Sequence, residues 1–278
     1  MKIHAQEFSK DPSIGIFTGL MNYQGDLNPN SFTYRHSKFS AGLLVRKPIS
    51  RLLALRAGFI IGSIKAGDHY NRDYLRLRNL SFFTDIQEIH TGLEITLTEI
   101  PVKMITPYLY AGIALFHFNP WAYDIRGDKV YLKPLGTEGQ GLSQYPQQKP
   151  YNLTQLSFPF GGGIRYAISE SITAGIEFSQ RKSFTDYIDD VSTHYIDEEA
   201  LLSARGSRAV EMAYRSDEIG GSPYPAHGEQ RGTPTEMDWY YFFGITLEVK
   251  LNRLGDMFKS KEAHIRSYQQ RCPRNLNY

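Results

Sequence analysis

Apolar and polar residues alternate along this chain with a period of two, in segments separated by turn residues, which marks half-buried strands rather than helices. The pattern predicts eight strands, over about 13–24, 39–49, 51–66, 80–99, 106–118, 154–169, 171–184 and 237–251. In the fourth, Ile89, Thr91, Leu93, Ile95 and Leu97 alternate with Glu88, His90, Gly92, Glu94, Thr96 and Thr98. The seventh sets Ile172, Ala174, Ile176 and Phe178 against Thr173, Gly175, Glu177, Ser179 and Arg181. In the eighth, Trp239, Tyr241, Phe243, Ile245, Leu247, Val249 and Leu251 share one face, aromatic at the end nearest a long connection and aliphatic beyond it.

The connections alternate as strictly as the residues do. Strands two and three meet at Lys47–Ser50, four and five at Glu99–Ile105, and six and seven at Ser169–Ser171. The others are long: Gly25–Lys38, Gly67–Asn79, Asn119–Leu153 and Thr185–Glu236. In up-and-down antiparallel order this puts all long loops at one end, and all short turns with both termini at the other. Outer-membrane barrels have that asymmetry, and a soluble calyx has no physical reason for it. The fold class expected is all-β: an eight-stranded antiparallel up-and-down transmembrane β-barrel over residues 1–252, followed by a periplasmic C-terminal tail over 253–278.

Mean hydropathy is −0.40, and no stretch approaches the ~20 consecutive apolar residues of a spanning helix. A barrel escapes that test because lipid-facing and lumen-facing residues average out along each strand. The 19 Tyr, 16 Phe and 24 Gly suit interfacial girdles and barrel bends better than a helical protein. A formal charge of +2 is too mild for a nucleic-acid partner. Cys272 is the single cysteine and so has no internal disulfide partner. The first residues have no apolar h-region, and Met1–Ala5 reads as the remnant of a signal cut after Ala5 in a longer precursor.

If the charged faces point inward, Glu88, Glu94, Glu177 and Glu248 share a lumen with Arg56, Arg165 and Arg181. An unpaired buried charge is costly, so these should form an ion-pair network that plugs the barrel. Asp186, Asp189 and Asp190 could gather around Ca²⁺, but they lack the spacing, glycine and terminal Glu of a calcium loop; a solvated or loop-capping acidic run is expected. Some outer-membrane barrels hydrolyse lipids with a His and a Ser near a strand rim, but no strand here carries His-x-Ser: His90 precedes Thr-Gly, and His194 lies in a loop. Gly161–Gly163 lies inside a strand pattern and reads as a barrel kink, not a phosphate cradle. Of the two longest loops, Asn119–Leu153 holds enough apolar material, with Trp121, Tyr123, Tyr131, Pro134 and Leu135, to pack on itself or across the barrel mouth. Ser203–Thr235 in the other is polar with scattered Gly and Pro, and is expected to be mobile.

Four stretches together resemble the PorG family of type IX secretion proteins from Bacteroidetes. They are Asn22-Tyr-Gln-Gly-Asp-Leu27, Arg78-Asn-Leu-Ser-Phe82, Pro134-Leu-Gly-Thr-Glu-Gly-Gln-Gly141 and Arg181-Lys-Ser-Phe-Thr-Asp-Tyr-Ile-Asp-Asp-Val-Ser192. The resemblance implies a non-enzymatic outer-membrane component that associates with a periplasmic ring of the lipoprotein PorK and PorN. It implies no catalytic residues, no cofactor, no metal and no small-molecule substrate. The tail offers a docking segment in which Met257, Phe258, Ile265 and Tyr268 are apolar anchors, and Lys259, Lys261, Arg266, Arg271 and Arg274 are cations. With Arg253, Asp256 and Glu262 the tail carries a formal +4. The competing readings are a barrel enzyme acting on lipid or cell-surface material, and a soluble carrier with an apolar lumen.

Overall fold

The computed structural model describes residues 10–252, apart from 32, 34, 35, 71, 72 and 99–104. Eight long strands form the wall: β1 (Ser13–Gln24), β2 (Lys38–Pro48), β3 (Leu53–Gly67), β4 (Ser81–Thr96), β5 (Ile105–His117), β8 (Thr154–Ala167), β9 (Ile172–Ser183) and β10 (Trp239–Lys250). Each matches its sequence-based expectation to within three residues. Between β5 and β8, the short strands β6 (Trp121–Tyr123) and β7 (Lys129–Tyr131) form a hairpin that extends the top of β4. Neighbours pair antiparallel throughout. Pairing of β1 with β10 and of β3 with β4 closes the cylinder and leaves the wall without an edge.

Closure satisfies the backbone of the wall internally, as a bilayer requires. One feature of the β5–β8 ladder has a local cause: pairing skips Gly112 and Ile113 opposite Phe158 and Pro159, because proline has no N–H to give. The glycine triplet just beyond it is not a kink. Gly161–Gly163 stays in continuous register with both neighbours, and a Cβ on Gly163 would sit 2.7 Å from the Tyr108 hydroxyl, so the glycine lets that ring lie across the lumen wall.

The outer face is apolar all round. Ile16, Ile89, Ile113 and Ile245 are each more than half exposed, as are Leu43, Leu109 and Ile164, with no protein over them. On β4 the outward series from Ile89 to Leu97 spans about 20 Å along the barrel axis at ordinary rise and tilt, close to the ~25 Å apolar band of spanning barrels. A polar ring ends it on the long-loop side: Ser63 and Lys65, Asp85 and Gln87, His117, Thr154, Gln180 and Lys182. No described helix is long and apolar enough to cross a membrane, so the crossing is made by strands. The chain is a transmembrane β-barrel of the outer-membrane type.

The interior has two layers. Toward the short turns it is charged. Toward the long loops it is a hydrophobic core of Phe17, Met21, Ile60, Ile64, Phe82, Ile86, Phe116, Phe118 and Phe242, and this core runs on into loop residues Leu132, Ile188, Val191 and Met212. Charge therefore fills half the lumen rather than all of it. Of Ser203–Thr235, expected to be a mobile polar excursion, the helical part and Arg231 are built into this cap, while 220–223 and 226–230 stay exposed. Helix α1 (Glu198–Arg205) and helix α2 (Ser207–Ala213) bury Leu201, Ala209, Met212 and Ala213, and Arg231 is 3 % exposed. Its apolar residues recur over only two short helical stretches, too few for the composition to reveal a packing face.

The band makes a depth-dependent claim. Leu93→Arg, at mid-membrane, should destabilise the barrel by ~2–4 kcal/mol in vesicles, whereas Gln87→Arg at the polar ring should cost ~0–1 kcal/mol. Equal losses, read from denaturant titrations of the folded species in lipid vesicles, would place the bilayer elsewhere.

Candidate functional site

The charged half of the lumen joins four arginines to four glutamates on six different strands. Arg56 on β3 reaches across to Glu177 on β9 as a bidentate fork, with N–O distances of 2.6 and 2.8 Å. Tyr108 on β5 donates to the same carboxylate at 2.7 Å. Arg181 on β9 lies 3.1 Å from Glu88 on β4, whose carboxylate also accepts from Tyr240 at 2.7 Å and contacts His90 Nδ1 at 2.9 Å. Arg165 on β8 pairs with Glu94 and lies 3.6 Å from Glu248. Arg46 on β2 holds Glu248 at 3.1 Å, and Ser13 donates to it at 2.7 Å. Two guanidiniums also cover aromatic faces: Arg56 lies 4.0 Å above the Tyr110 ring and Arg165 3.8 Å above that of Tyr108.

Every inward charge that the alternation predicts therefore faces a partner of opposite sign. Arg46, Tyr108, Tyr110 and Tyr240 belong to the same network and are not among the predicted residues. Arg46 has the inward parity of Ser40 and Leu44, which was the available signal. The tyrosines could not be separated from girdle residues by pattern alone.

Above the hydrophobic layer, the loops meet in a second polar cluster. Arg78 forks onto Asp68, with Nη2–Oδ1 at 2.7 Å, and also bonds the carbonyls of Asp26 and Arg231. Arg231 bonds Glu138 at 2.8 Å and the Asp190 carbonyl at 2.5 Å. Glu138 accepts in turn from the Ser192 and Thr193 amides at 2.9 and 3.1 Å. Asp190 takes the hydroxyls of Thr137 and Tyr151 at 2.6 and 2.7 Å. Asp189 takes the Leu27 and Val191 amides. Its neighbour Asp190 has φ of 66°, a left-handed turn that sends the two carboxylates to different partners.

Asp189 and Asp190 are thus buried loop caps, and Asp186 is buried beside them rather than solvated. Among the described residues no three acidic, His or Cys side chains are grouped to hold a metal. The cluster instead holds protons. The Tyr23 hydroxyl lies 2.6 Å from Asp189 Oδ2 and 2.7 Å from Asp238 Oδ1, yet it has a single proton to donate. One of the two carboxyls must be protonated and donate back to the tyrosine oxygen. Burial, followed by repulsion from neighbouring carboxylates, pushes Asp186 up to about 9 and Asp189 up to about 8, and raises Asp238 well above the usual carboxylate range.

The remaining candidates do not assemble a reaction centre. His90 is buried against Glu88 in the lumen. His117 Nδ1 and Thr154 Oγ1 lie 3.0 Å apart on the outer rim, but no described carboxylate orients that imidazole. The tail residues Met257, Phe258, Lys259, Lys261, Ile265, Arg266, Tyr268, Arg271 and Arg274, and Cys272, lie outside the described residues.

Fold and site together define a closed, internally plugged and externally capped membrane barrel. The chain belongs to the family described as "Domain of unknown function (DUF6089)", which matches residues 3–203. No curated protein matches the sequence. Among solved structures it is similar to Neisserial surface protein A, at 9 % identity and a TM-score of 0.43 over 86 % of this chain and 97 % of that one. It is also similar to the attachment invasion locus protein Ail of Yersinia pestis, in complex with the heparin analogue sucrose octasulfate, at 8 % identity and 0.38 over 86 % and 97 %. The outer membrane protein OprG from Pseudomonas aeruginosa gives 9 % identity and 0.36 over 87 % and 97 %. At these scores the likeness adds nothing to what the strand register already establishes.

Two measurements address the two clusters. Arg181→Met leaves Glu88 buried without its guanidinium and should cost ~3–5 kcal/mol of stability in detergent, with part of the loss recovered in Arg181→Met/Glu88→Gln. A double variant no more stable than the single one would show that the pair is not coupled. In the cap, a carboxyl that binds its proton more tightly folded than unfolded loses stabilisation as pH rises from its unfolded value, ~3.9, toward its folded one. Asp186→Asn should therefore raise the unfolding midpoint at pH 9, leave it nearly unchanged at pH 4, and flatten the slope between. An unaltered slope would locate the proton uptake at another group.

Proposed function

We propose that this protein is a PorG-type, non-enzymatic outer-membrane component of the type IX secretion system, anchoring or docking the periplasmic ring of PorK and PorN. The observation that supports this best is the convergence of the four stretches that carry the PorG resemblance. They are far apart in the chain, yet Tyr23 and Leu27 of the first bond Asp189 of the fourth. Arg78 of the second bonds the Asp26 carbonyl of the first. Thr137 and Glu138 of the third bond Asp190 and Ser192 of the fourth. Chance resemblances of short segments have no reason to meet in one hydrogen-bonded cap.

The plugged lumen supports a role exercised through surfaces. Ion pairs fill one half, side chains of the hydrophobic core fill the other, and the loops close the mouth. In this reading the short-turn end is periplasmic; Asn252 lies at that end beside Asp11, bonded at 2.5 Å, and the basic segment 253–278 that follows it in the sequence is the proposed docking segment. Apolar anchors among cations, as in that segment, combine steering with a buried contact.

Deletion of 253–278 should leave a folded barrel in the outer membrane that no longer co-purifies with PorK and PorN. Full recovery of the ring by the truncated barrel would move the docking surface to the short turns near Pro48, Pro101 and Glu170. Failure of the intact protein to recover any ring component after cross-linking in native envelopes would remove the secretion reading altogether.

A further inference from the structure

Beyond the polar ring that ends the lipid-facing band, one sector of the wall becomes apolar again. β4 turns Asp85 and Gln87 outward at the ring, then Phe83 one step nearer the loops. The β6–β7 hairpin attaches at Phe83, and its outer face carries Trp121, Tyr123, Lys129 and Tyr131, while Ala122 and Val130 point inward. Phe83 and Trp121 stack with ring centres 4.7 Å apart at 18°, and Tyr123 meets Trp121 edge-on at 5.1 Å. Lys129 Nζ sits 4.2 Å from the Trp121 ring centre and 4.9 Å from that of Tyr131.

Two properties of this stripe call for a ligand. Tyr123 and Tyr131 are 48 % and 44 % exposed, so flat aromatic faces are left uncovered. Among the described residues, no carboxylate lies within ion-pair range of Lys129, whereas Arg126 and Arg208 are both paired with Asp124 beneath the hairpin tip. Hydrocarbon is the wrong occupant, because the stripe lies past Asp85 and Gln87 and has an ammonium at its centre. Sugar rings present C–H faces that stack on tyrosine, and an uncompensated lysine at a membrane surface takes an anion.

We propose that the Phe83–Trp121–Tyr123–Tyr131 stripe binds the phosphorylated sugar headgroup of an outer-leaflet glycolipid, with Lys129 on a phosphate and the two tyrosines against the saccharide. The stripe stands at headgroup height, where such a headgroup projects beyond the acyl chains.

The protein has two tryptophans, Trp121 and Trp239, so Trp239→Phe leaves Trp121 as its single indole reporter. Full-length Trp239→Phe protein in detergent would be titrated with rough-type lipopolysaccharide, with the same material after enzymatic dephosphorylation, and with phosphatidylglycerol. The expected result is a saturable change in Trp121 emission with lipopolysaccharide, weaker after dephosphorylation and absent with phosphatidylglycerol. Adding Lys129→Met should weaken the response about fivefold, the effect of one lysine at an anionic surface, and abolish the preference for the phosphorylated form. If Trp239→Phe lacks the heat-dependent gel shift of a folded barrel, the difference between wild type and Trp121→Phe supplies the same signal. An equal response to phosphatidylglycerol, or indifference to Lys129→Met, overturns the proposal. So does the absence of both an emission change and retained lipopolysaccharide after detergent exchange.

Discussion

An eight-stranded cylinder has room inside for side chains and nothing else, and that constraint governs the rest of this structure. Four guanidiniums and four carboxylates are gathered there, all but Arg46 nearly fully buried, so each must find its opposite across the lumen. The Arg56–Glu177 fork and the Arg181–Glu88 contact both reach β9 from β3 and β4, strands that are not its neighbours in the sheet. Backbone pairing fixes adjacent strands; these ion pairs fix opposite ones. Such a barrel resists collapse and slippage of register, and offers no continuous path for solute.

The same logic separates the interior into layers. Next to the short turns the inward positions are charged and paired, and toward the loops they are aromatic or aliphatic and continuous with the cap. The cap then has its own polar network, which differs from the lumen in one respect. The lumen balances glutamate with arginine, whereas the cap gathers Asp26, Asp186, Asp189, Asp190, Asp238 and Glu138 around Arg78 and Arg231, and Arg78 is already committed to Asp68. Protons make up the difference, as the sharing of one tyrosine hydroxyl by Asp189 and Asp238 requires.

The strands, their order and the alternation of long and short connections were legible in the sequence, because a two-residue period and turn residues are local properties. So was the inward parity of Glu88, Glu94, Glu177, Glu248, Arg56, Arg165 and Arg181, since each alternates with aliphatic neighbours. The run from Trp239 to Phe243 shows where that reasoning stops. Alternation with Glu248 put Trp239 and Phe243 on the outward face, where they lie, but because Tyr240 and Phe242 are aromatic too, nothing local said that they are fully buried, one in the ion-pair network and one in the hydrophobic core.

Which arginine meets which glutamate was decided by the tertiary structure alone, because pairing across the lumen depends on strand tilt and stagger, and these are set by closure of the whole sheet. The cap lay further still from anything local. Arg231 and Glu138 are 93 residues apart in loops without period, and each looks like an ordinary solvated charge until the chain buries both against Asp190. The sequence by itself determined a barrel with a charged inner face and long loops at one end. Only the fold decided that those loops form a capped, proton-holding core, because burial of a loop charge is a property of what covers it and not of its neighbours in the chain.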